Sequence, residues 1–458
     1  MVDPGNLAQK AKTVRLADNV DYLKLFYALK SRHKYSYLFE SLVMPKQQDR
    51  YFTIGFDPMY VFSAKGNQFT ARSKTGEQST KVENPYRHLK KLMPKMLGTN
   101  PYFGGLVGYF SYESANYFEP ALDLAEHPDF DQFELGLYVD GLVYDNETAE
   151  LTYYTYHQDR SGEIKRLIKE LPSVTSADKL EAVEADEPKI SRSRFIEIVK
   201  QTLEDIKAGK SFQVEVGISK NYRIAGDKFA IYQKLRQINP SPYMYYLSHG
   251  PRQLFGASPE IVVALKDGRI LTTPAAGTIE RGETETADKQ NVRKLANDPK
   301  EIAEHNMLVD LHRNDISRVA KIGSVRIDRL RHIMKFKYVS HMVSDIVGEI
   351  KGDKNSFDLL AGIMPCGVLT GAPKIETMRI IRRNENSPRG PYGGAVGRFS
   401  FNGDCVFAMP IRSLFFNGNN GFNQACAGIV FDSDPKKEYQ EVIAKLAGIE
   451  ESIKGASP

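Results

Sequence analysis

Tryptophan is absent from this 458-residue sequence, and cysteine occurs only three times, at Cys366, Cys405 and Cys426. The aromatic content is carried instead by 24 phenylalanines and 24 tyrosines. The cysteines have neither metal-binding nor redox spacing, which is typical of proteins from a reducing cytosol. None of them lies in a nucleophile motif of the glutaminase kind. The sequence therefore predicts a cytoplasmic protein that does not hydrolyse glutamine itself.

Long apolar runs and clusters of like charge are also missing. No apolar run approaches the roughly 18 residues of a membrane helix, and the first residues, MVDPGNLAQKAK, lack the apolar core of a signal peptide. The net charge is +5, but lysine and arginine are spread along the sequence, as on a solvated surface. We therefore expect neither a membrane nor a nucleic acid as a partner.

The length of the chain favours two domains or one large composite domain. Segment 174–190 is acidic, poor in large apolar residues and ends shortly after a proline, which is typical of a linker. Ser191 or Ser193 could cap a helix that follows it. The predicted organisation is an N-terminal regulatory domain at 1–173, an acidic linker at 174–190 and a catalytic domain at 191–458.

Short β-like runs separated by turn residues precede the linker, and helical stretches alternate with strands after it. The predicted strands include Tyr51–Phe56, Leu151–Tyr156, Gln253–Phe255, Ile261–Leu265, Leu414–Phe416 and Asn423–Phe431. The predicted helices are 193–208, 287–319, 373–383 and 435–453. This pattern predicts an α/β protein of the α+β type, with two layers of mostly antiparallel sheet and flanking helices.

Two pairs of glutamates are spaced three residues apart in segments predicted to be helical. Glu301 and Glu304 (EIAEH) form one pair, and Glu438 and Glu441 (EYQE) form the other. That spacing places both members of a pair on one helical face, where like charges repel. A hard cation such as Mg2+ would relieve the repulsion, since it binds one or two carboxylates together with water and substrate oxygens. Taken alone, each pair also fits an ordinary solvated helix face.

Small residues and glycines recur between these pairs, in PAAGT (274–278), TGAPK (370–374), RGPYGGAVG (389–397) and QACAGIV (424–430). Such segments let backbone N–H groups approach an anion closely, although tight turns would need them too. Arg412 lies in an otherwise apolar strand-like run, where an arginine pairs with a buried carboxylate or binds an anionic ligand. His341 lies in an amphipathic segment, where a lone histidine is more often structural than catalytic.

The order of these motifs resembles that of the chorismate-utilising enzymes, and within them the anthranilate synthase component I group. The shared motifs are SPE (258–260), PAAGT with the RG after it, EHNMLVDLHRND (304–315), His341 before MVS, TGAPK, RGPYGGAVG, IRS and the AGIVFDSDP…EYQE ending. The similarity runs from about Leu38 to Ile453, nearly the whole chain. Each motif alone is too short to identify a family, but the occurrence of all of them in the same order is a strong signal.

The resemblance implies that the protein binds chorismate, a small dianion, with Mg2+ as cofactor. The implied metal ligands are Glu304 and Glu441, supported by Glu301 and Glu438. Glu260 corresponds to the general acid that protonates the departing ring hydroxyl, and His341 is expected to handle a proton during pyruvate loss. The residues implied to hold the carboxylates and the ring are Gly277, Thr278, Tyr392, Arg412, Ala427 and Gly428.

Two positions separate the branches of this family. Water-adding members, the isochorismate and salicylate synthases, carry a lysine base where this chain has Gln213, and ammonia needs no such base. Aminodeoxychorismate synthases often carry a lysine at the position of Ala276. The expected activity is therefore that of an anthranilate synthase large subunit, which converts chorismate and ammonia to anthranilate and pyruvate in the first step of tryptophan biosynthesis. Ammonia would come from a separate glutamine amidotransferase subunit.

A second set of residues resembles the tryptophan feedback site of the family. Its members are Glu40, Ser41, Pro242, Tyr243 and Met244. A serine and glutamate pair can bind an amino-acid ammonium, and the other three can enclose an indole. We therefore expect tryptophan to inhibit the enzyme from a pocket formed across the linker, although a domain contact without a ligand would also explain these residues. An enzyme made during tryptophan starvation also benefits from containing no tryptophan.

Three residues depart from the family pattern. Val368 replaces the usual threonine before TGAPK, Cys426 replaces a glycine in the carboxylate-binding turn, and Phe39 replaces a leucine in the feedback motif. Because of them, the sequence does not determine the affinity for chorismate or the strength of feedback inhibition.

Two alternative functions remain. One is component I of aminodeoxychorismate synthase, which stops at an amino-enol-pyruvyl product, and the other is a catalytically silent regulatory paralogue.

Overall fold

The computed structural model describes residues 7–43, 50–94, 100, 102–174, 180–337, 339–385 and 387–457. Within these ranges the chain forms two twelve-stranded sheets whose strand pairs are antiparallel. Ten α-helices accompany the sheets in the same ranges. The predicted α+β class with mainly antiparallel sheets is confirmed.

The first sheet contains, in spatial order, β1 (Lys12–Asp18), β10 (Glu150–Thr155), β9 (Asp140–Asp145), β3 (Tyr51–Phe56), β2 (Tyr35–Glu40), β13 (Tyr243–His249), β14 (Arg252–Ser258), β23 (Ser413–Asn417), β24 (Asn420–Ile429), β12 (Gln213–Ala225) and β11 (Ala182–Ala185), with β20 (Gly371–Ala372) beside β12. The second sheet contains β17 (Ala275–Glu280), β19 (Val339–Glu349), β16 (Arg269–Thr272), β15 (Ile261–Lys266), β22 (Cys405–Ala408), β21 (Ala395–Ser400), β7 (Gly105–Phe110), β8 (Phe133–Tyr138), β4 (Tyr60–Lys65), β5 (Gln68–Ser73) and β6 (Gly76–Lys81), with β18 (Arg326–Lys335) beside β19.

The helices are α1 (Tyr22–Arg32), α2 (Pro85–Leu92), α3 (Ser161–Glu170), α4 (Arg192–Lys207), α5 (Phe229–Ile238), α6 (Glu285–Asn297), α7 (Pro299–Ser317), α8 (Ser356–Ile363), α9 (Lys374–Glu385) and α10 (Pro435–Ala456). None of the helices in the described ranges is long and apolar enough to cross a membrane. The predicted helix 287–319 is in fact two helices. Asp298 ends α6 and caps α7, and Pro299 starts α7 because it has no N–H to leave unpaired in a first turn.

The predicted division into separate domains is corrected by the sheet topology. Both sheets contain strands from before and after the predicted linker, for example β2 paired with β13 and β7 paired with β21. One apolar core contains residues from both segments, such as Tyr37, Phe110 and Phe407. Since backbone hydrogen bonds and a shared core join them, 1–173 and 191–458 form one composite body.

The predicted linker is partly ordered into the first sheet. Residues 175–179 lie outside the described residues. Leu180 is buried in an apolar cluster, and β11 pairs with β12 along its whole length. The acidic composition therefore indicated an edge strand with exposed side chains rather than a free connection. Ser191 caps α4, as predicted, by accepting a hydrogen bond from Arg194 N.

Candidate active site

Thr278 and His341 face each other across the β17–β19 ladder. The Thr278 hydroxyl lies 2.8 Å from Nδ1 of His341, and the Arg412 guanidinium lies 3.2 Å from Nε2. Because arginine only donates hydrogen bonds, Nε2 must accept, and the neutral imidazole carries its proton on Nδ1. Burial, with help from the Arg412 charge, lowers the pKa of His341 to about 3. His341 is therefore neutral at physiological pH, with one defined tautomer.

Arg412 occupies a strained backbone position directly before β23. Its φ is 49°, in the left-handed region that a non-glycine residue rarely adopts, and its carbonyl accepts a hydrogen bond from Ala257 N. Burial lowers the pKa of the guanidinium, and the nearby Glu260 opposes that shift. Arg412 makes no salt bridge within the described residues. A partly buried cation without a paired carboxylate is suited to an anionic ligand.

Glu260 is a buried carboxyl in the short connection between β14 and β15. Its Oε1 accepts a hydrogen bond from Ala275 N, in the PAAGT motif, over 3.0 Å. Burial raises the pKa of Glu260 to about 8, although this backbone bond and Arg412 act in the opposite direction. The side chain is therefore largely protonated at neutral pH, which is the state that a general acid needs.

Helices α7 and α10 bring the four predicted glutamates into one electrostatic cluster. Burial raises the pKa of Glu304 to about 7, and Glu301, Glu441 and Glu438 each raise it further. The pKa values of Glu301 and Glu438 are raised as well, with burial as the largest cause. Because these carboxylates repel one another, a bound cation would stabilise their charged forms.

The donor chemistry of the cluster fits Mg2+. No three carboxylate, imidazole or thiolate side chains in the described part of the chain converge closely enough to hold a metal by themselves. Mg2+ commonly binds through one or two carboxylates and completes its shell with water and substrate oxygens. Glu304 is half-buried within the cluster, whereas the Glu441 side chain is 51% exposed and forms a salt bridge of 2.7 Å with Lys445.

Gln213 links the acidic cluster to a buried glutamate that we did not predict. The Gln213 amide nitrogen donates to Glu304 over 3.2 Å and to Glu215 over 3.1 Å. Burial raises the pKa of Glu215 to about 8. The alternation in QVEV could have revealed Glu215, because Val214 and Val216 face an apolar core and residues 213 and 215 share the other face of β12.

Two of the predicted glycines let the backbone approach the acidic residues. Gly277 has a φ of 83°, and a Cβ at this position would lie 2.9 Å from Glu301 Oε2. Gly428 is paired with Glu215 across β12 and β24, and a Cβ there would lie 2.5 Å from the Gln213 amide nitrogen. Ala427, also predicted, is buried next to Gly428. Ala427 and Gly428 lie within β24 rather than in a turn. Gly277 and Gly428, both predicted to bind substrate, thus border the acidic residues.

Tyr392 and Cys426 form a buried pair, and Cys426 directly precedes Ala427 in β24. The Tyr392 hydroxyl donates to the Cys426 sulfur over 3.1 Å, so the hydroxyl already has an acceptor. The sulfur lies close to Gly217, where a Cβ would approach it to 2.7 Å. Gly217 therefore provides the space that the Cys426 side chain needs. Val368, the other departure near the ring site, is partly buried against the main core.

Two motifs of the sequence hold α7 in place rather than contacting the ring site. Lys374 of TGAPK donates to Asp315, at the end of HRND, over 2.6 Å. His312 lies 2.7 Å from the Thr272 hydroxyl on β16 and is fully buried. These contacts fix the helix that carries Glu301 and Glu304, and the sequence analysis assigned them no such role.

The family described as chorismate binding enzyme matches residues 36–451 of this sequence. The chain belongs to the chorismate binding enzyme family. It is 41% identical to anthranilate synthase component 1 of Leptospira biflexa over 443 residues, which cover 96% of this chain and 95% of the relative. It is 38% identical to anthranilate synthase component 1 of Methanothermobacter marburgensis over 434 residues, which cover 94% and 93%.

Solved structures share this architecture. Anthranilate synthase component I from Streptococcus pneumoniae TIGR4 superimposes with a TM-score of 0.78 at 27% identity, covering 89% of this chain and 94% of that one. MenF, the menaquinone-specific isochorismate synthase of Escherichia coli, gives a TM-score of 0.72 at 17% identity, covering 98% and 95%. The second comparison shows a common fold and nothing about the reaction.

A cavity of about 780 Å³ between the two sheets contains all five residues of the predicted feedback site. Phe39 also lines it. Glu40 belongs to the wall, but its carboxylate accepts hydrogen bonds from Arg236, Tyr22 and Tyr232. The Ser41 hydroxyl, by contrast, is buried without a partner among the described residues.

Arg398 adds a cationic group to this cavity that the sequence analysis missed. It is buried, its guanidinium carbon lies 4.7 Å from the centre of the Tyr102 ring, and it makes no salt bridge in the described ranges. Its position in a β-strand, within an alternating pattern, gave no sign that it would face a cavity. Ser41 and Arg398 together offer polar contacts for a zwitterion, with aromatic side chains close by.

Proposed function

We propose that this chain is the chorismate-using component of anthranilate synthase. The observation that carries the proposal is Gln213. It lies beside the acidic cluster of a chorismate binding enzyme, where water-adding members of the family are expected to have a lysine base. An amide cannot deprotonate water, whereas ammonia is already a nucleophile. The two named relatives, at 41% and 38% identity over almost the full length, support the same activity.

Arg412 and the β24 backbone at Ala427 and Gly428 would hold the substrate carboxylates. Arginine presents a planar pair of donors that matches a carboxylate. Mg2+ would be held by Glu304 and Glu441, with Glu301 and Glu438 in support, and would neutralise the ring carboxylate. Gly277, Thr278 and Tyr392 would complete the walls around the ring.

Glu260 would act as the general acid that protonates the departing ring hydroxyl. It is largely protonated at neutral pH because burial raises its pKa to about 8. His341 would accept the ring proton during pyruvate loss. Binding of a substrate carboxylate to Arg412 would release Nε2 and neutralise the cation that lowers the His341 pKa, so the imidazole becomes a better base when substrate is present.

Ammonia would come from a separate glutamine amidotransferase subunit in the cytoplasm. Glutamine hydrolysis of that type needs a reactive thiolate, and all three cysteines of this chain are buried and free. Burial raises the pKa of Cys366, Cys405 and Cys426 to about 12, so each remains a thiol at neutral pH.

Tryptophan would regulate the enzyme from the cavity between the sheets. Ser41 and Arg398 would bind its ammonium and carboxylate groups, while Pro242, Tyr243 and Met244 would enclose the indole. The cavity also includes residues of the second sheet that adjoin Glu260, such as Ile261. A ligand that favours one arrangement of the two sheets would therefore act on the catalytic residues.

The proposal is tested by incubating the purified chain with chorismate, Mg2+ and ammonium at pH 8.5 and following anthranilate fluorescence. We expect turnover with ammonium and none with glutamine in its place. Adding the amidotransferase subunit should confer use of glutamine. Absence of anthranilate with ammonium under these conditions contradicts the proposal, and glutamine-dependent turnover by the single chain contradicts the need for a partner.

A further inference from the structure

Of the two polar atoms in the Gln213 amide, the nitrogen forms two hydrogen bonds and the oxygen forms none within the described residues. Its nitrogen donates to two carboxylates, Glu215 and Glu304, which fixes the orientation of the amide. Its oxygen is buried and has no hydrogen-bond partner among the described residues. Gln213 is only 1% exposed, so water outside the protein does not satisfy this oxygen. A buried acceptor without a protein partner costs free energy unless a ligand or a bound water pairs with it.

Glu215 lies on the same face of β12, two residues further along. One carboxylate oxygen contacts the Gln213 amide, while the backbone oxygen of Glu215 accepts a hydrogen bond from Arg389. Glu215 raises the pKa of Glu260, and Glu304 and Glu441 act electrostatically on Glu215 itself. Its carboxyl is therefore within electrostatic reach of both the predicted general acid and the predicted metal cluster.

The neighbouring glycine makes room for these two side chains. Gly428 faces Glu215 across the ladder, and a Cβ on it would lie 2.6 Å from Glu215 Oε1 and 2.5 Å from the Gln213 nitrogen. The β24 backbone predicted to bind a substrate carboxylate is thus in contact with both side chains. A small molecule held by Gln213 and Glu215 would lie next to the bound substrate.

We propose that Gln213 and Glu215 form the binding site for the ammonia nucleophile, and that the Glu215 carboxylate takes the proton which the nitrogen releases after attack. This inference rests on the proposed function. Ammonia has three N–H donors and one lone pair. The Gln213 oxygen and the ionised form of Glu215, which prevails once the pH exceeds its raised pKa of about 8, accept two of the three N–H bonds, and the lone pair is left for the ring.

The step balances without any further reactant. The ammonia lone pair forms the new C–N bond, and the double bonds of the ring shift towards the carbon that carries the hydroxyl. The C–O bond breaks, and Glu260 supplies the proton with which the hydroxyl leaves as water. The nitrogen then carries a positive charge and passes one proton to Glu215. Glu260 ends as a carboxylate and Glu215 as a carboxylic acid, so solvent must exchange one proton with each before the next turnover.

The test compares the wild-type chain with Glu215→Gln at pH 8.5, with saturating Mg2+. Rates are measured against ammonium concentration, and chorismate binding is measured separately by calorimetry. We expect kcat/KM for ammonia to fall at least 100-fold, while the Kd for chorismate changes by less than threefold. A loss in kcat/KM below threefold, or an equal loss in chorismate affinity, overturns the inference.

A second variant separates proton transfer from a merely structural role. Glu215→Ala removes the carboxylate, and formate is small enough to enter the space. We expect formate to restore activity at least tenfold in Glu215→Ala and to leave the wild type unchanged. Absence of rescue in a variant that still binds chorismate contradicts a proton-accepting role for Glu215.

Asp404→Asn is the matched control, because Asp404 is another buried carboxyl and belongs to neither set of site residues. It should keep the wild-type kinetics. The outcomes also distinguish a failure of the ammonia site from a failure of the proposed anthranilate synthase function. If the wild type makes no anthranilate, the proposed function fails. If the wild type is active and Glu215→Gln equals it, only the ammonia site fails.

Discussion

Arg412 donates a hydrogen bond to Nε2 of His341 over 3.2 Å, although both groups are expected to serve the substrate. The contact keeps the histidine neutral and holds the arginine at the place where a substrate carboxylate would bind. Burial and this neighbouring charge together lower the His341 pKa to about 3. A substrate carboxylate at Arg412 would therefore share the guanidinium with the imidazole or displace it.

Replacing Arg412 by lysine should weaken chorismate binding by about 10- to 100-fold. The charge remains, but the planar pair of donors that fits a carboxylate is lost, and charge-assisted hydrogen bonds contribute about 1.5–3 kcal/mol. Calorimetric titration with chorismate and Mg2+ measures the change. Arg398→Lys, in the cavity between the sheets, is the control and should leave the chorismate Kd unchanged. Equal affinity in wild type and Arg412→Lys contradicts the assignment.

The pH dependence of turnover should show the ionisation of Glu260. As a general acid it must be protonated, and burial raises its pKa to about 8. At a fixed concentration of free ammonia, kcat should therefore fall as the pH rises above about 8. Glu260→Gln should lower kcat by about 10²–10⁴-fold and remove this limb of the profile. A pH profile that is the same in wild type and variant at high pH excludes Glu260 as the acid.

The same residue should make stability depend on pH. The unfolded chain releases the Glu260 proton near pH 4.5, whereas the folded protein retains it to about pH 8. The stability present below pH 4.5 is thus lost as the pH rises through about 8. The free energy of unfolding, measured in urea at pH 5.5 and 8.5, should fall more in the wild type than in Glu260→Gln. An identical fall in the two proteins contradicts the raised pKa.

Glu304→Gln and Glu441→Gln should each abolish turnover without unfolding the protein. Each change removes a charge proposed to hold Mg2+ and also relieves repulsion among the four glutamates, so the melting temperature without Mg2+ should stay the same or rise slightly. Added Mg2+ should raise the melting temperature of the wild type but of neither Glu304→Gln nor Glu441→Gln. Glu285→Gln, on the exposed surface of α6, serves as the control. Near wild-type activity of either variant at limiting Mg2+ rules out that ligand.

Ser41→Arg and Pro242→Ser should relieve inhibition by tryptophan at little cost to activity, because neither side chain belongs to the ring site. Tryptophan titrated with and without chorismate should show a coupling of roughly 1–3 kcal/mol, and chorismate should weaken tryptophan binding by the same factor. Phe39, which also lines the cavity, is expected to make the wild-type response weaker than usual. If chorismate does not change the affinity for tryptophan, the cavity is not a regulatory site.

The sequence predicted the fold class because the signals for helices and strands are local. Tyr51–Phe56 has the bounds predicted for it, since its apolar pattern and flanking turns act within a few residues. The domain division was wrong because pairing between β2 and β13 joins residues about 200 positions apart, which local composition does not reveal. The break at Pro299 shows how one residue overrides a long helical pattern.

Side-chain partners were the least predictable part of the site. Nothing in the local sequence shows that Glu40 is paired with Arg236, or that the Ser41 hydroxyl and the Gln213 oxygen have no partner among the residues that the structure describes. These facts depend on which strands become neighbours in the sheet. Glu215 was missed for the same reason. A charged residue in a strand is usually exposed, whereas Glu215 is buried beside a strand, β24, that is distant in sequence.

The most direct test of the central claim is the identity of the product formed from chorismate, Mg2+ and ¹⁵N-labelled ammonium by the purified chain. Mass spectrometry should show anthranilate that carries one ¹⁵N, with one equivalent of pyruvate for each anthranilate. Isochorismate or salicylate would show that water is the nucleophile despite Gln213. A labelled amino-enol-pyruvyl product without pyruvate would assign the chain to the aminodeoxychorismate branch, and either result would contradict the account.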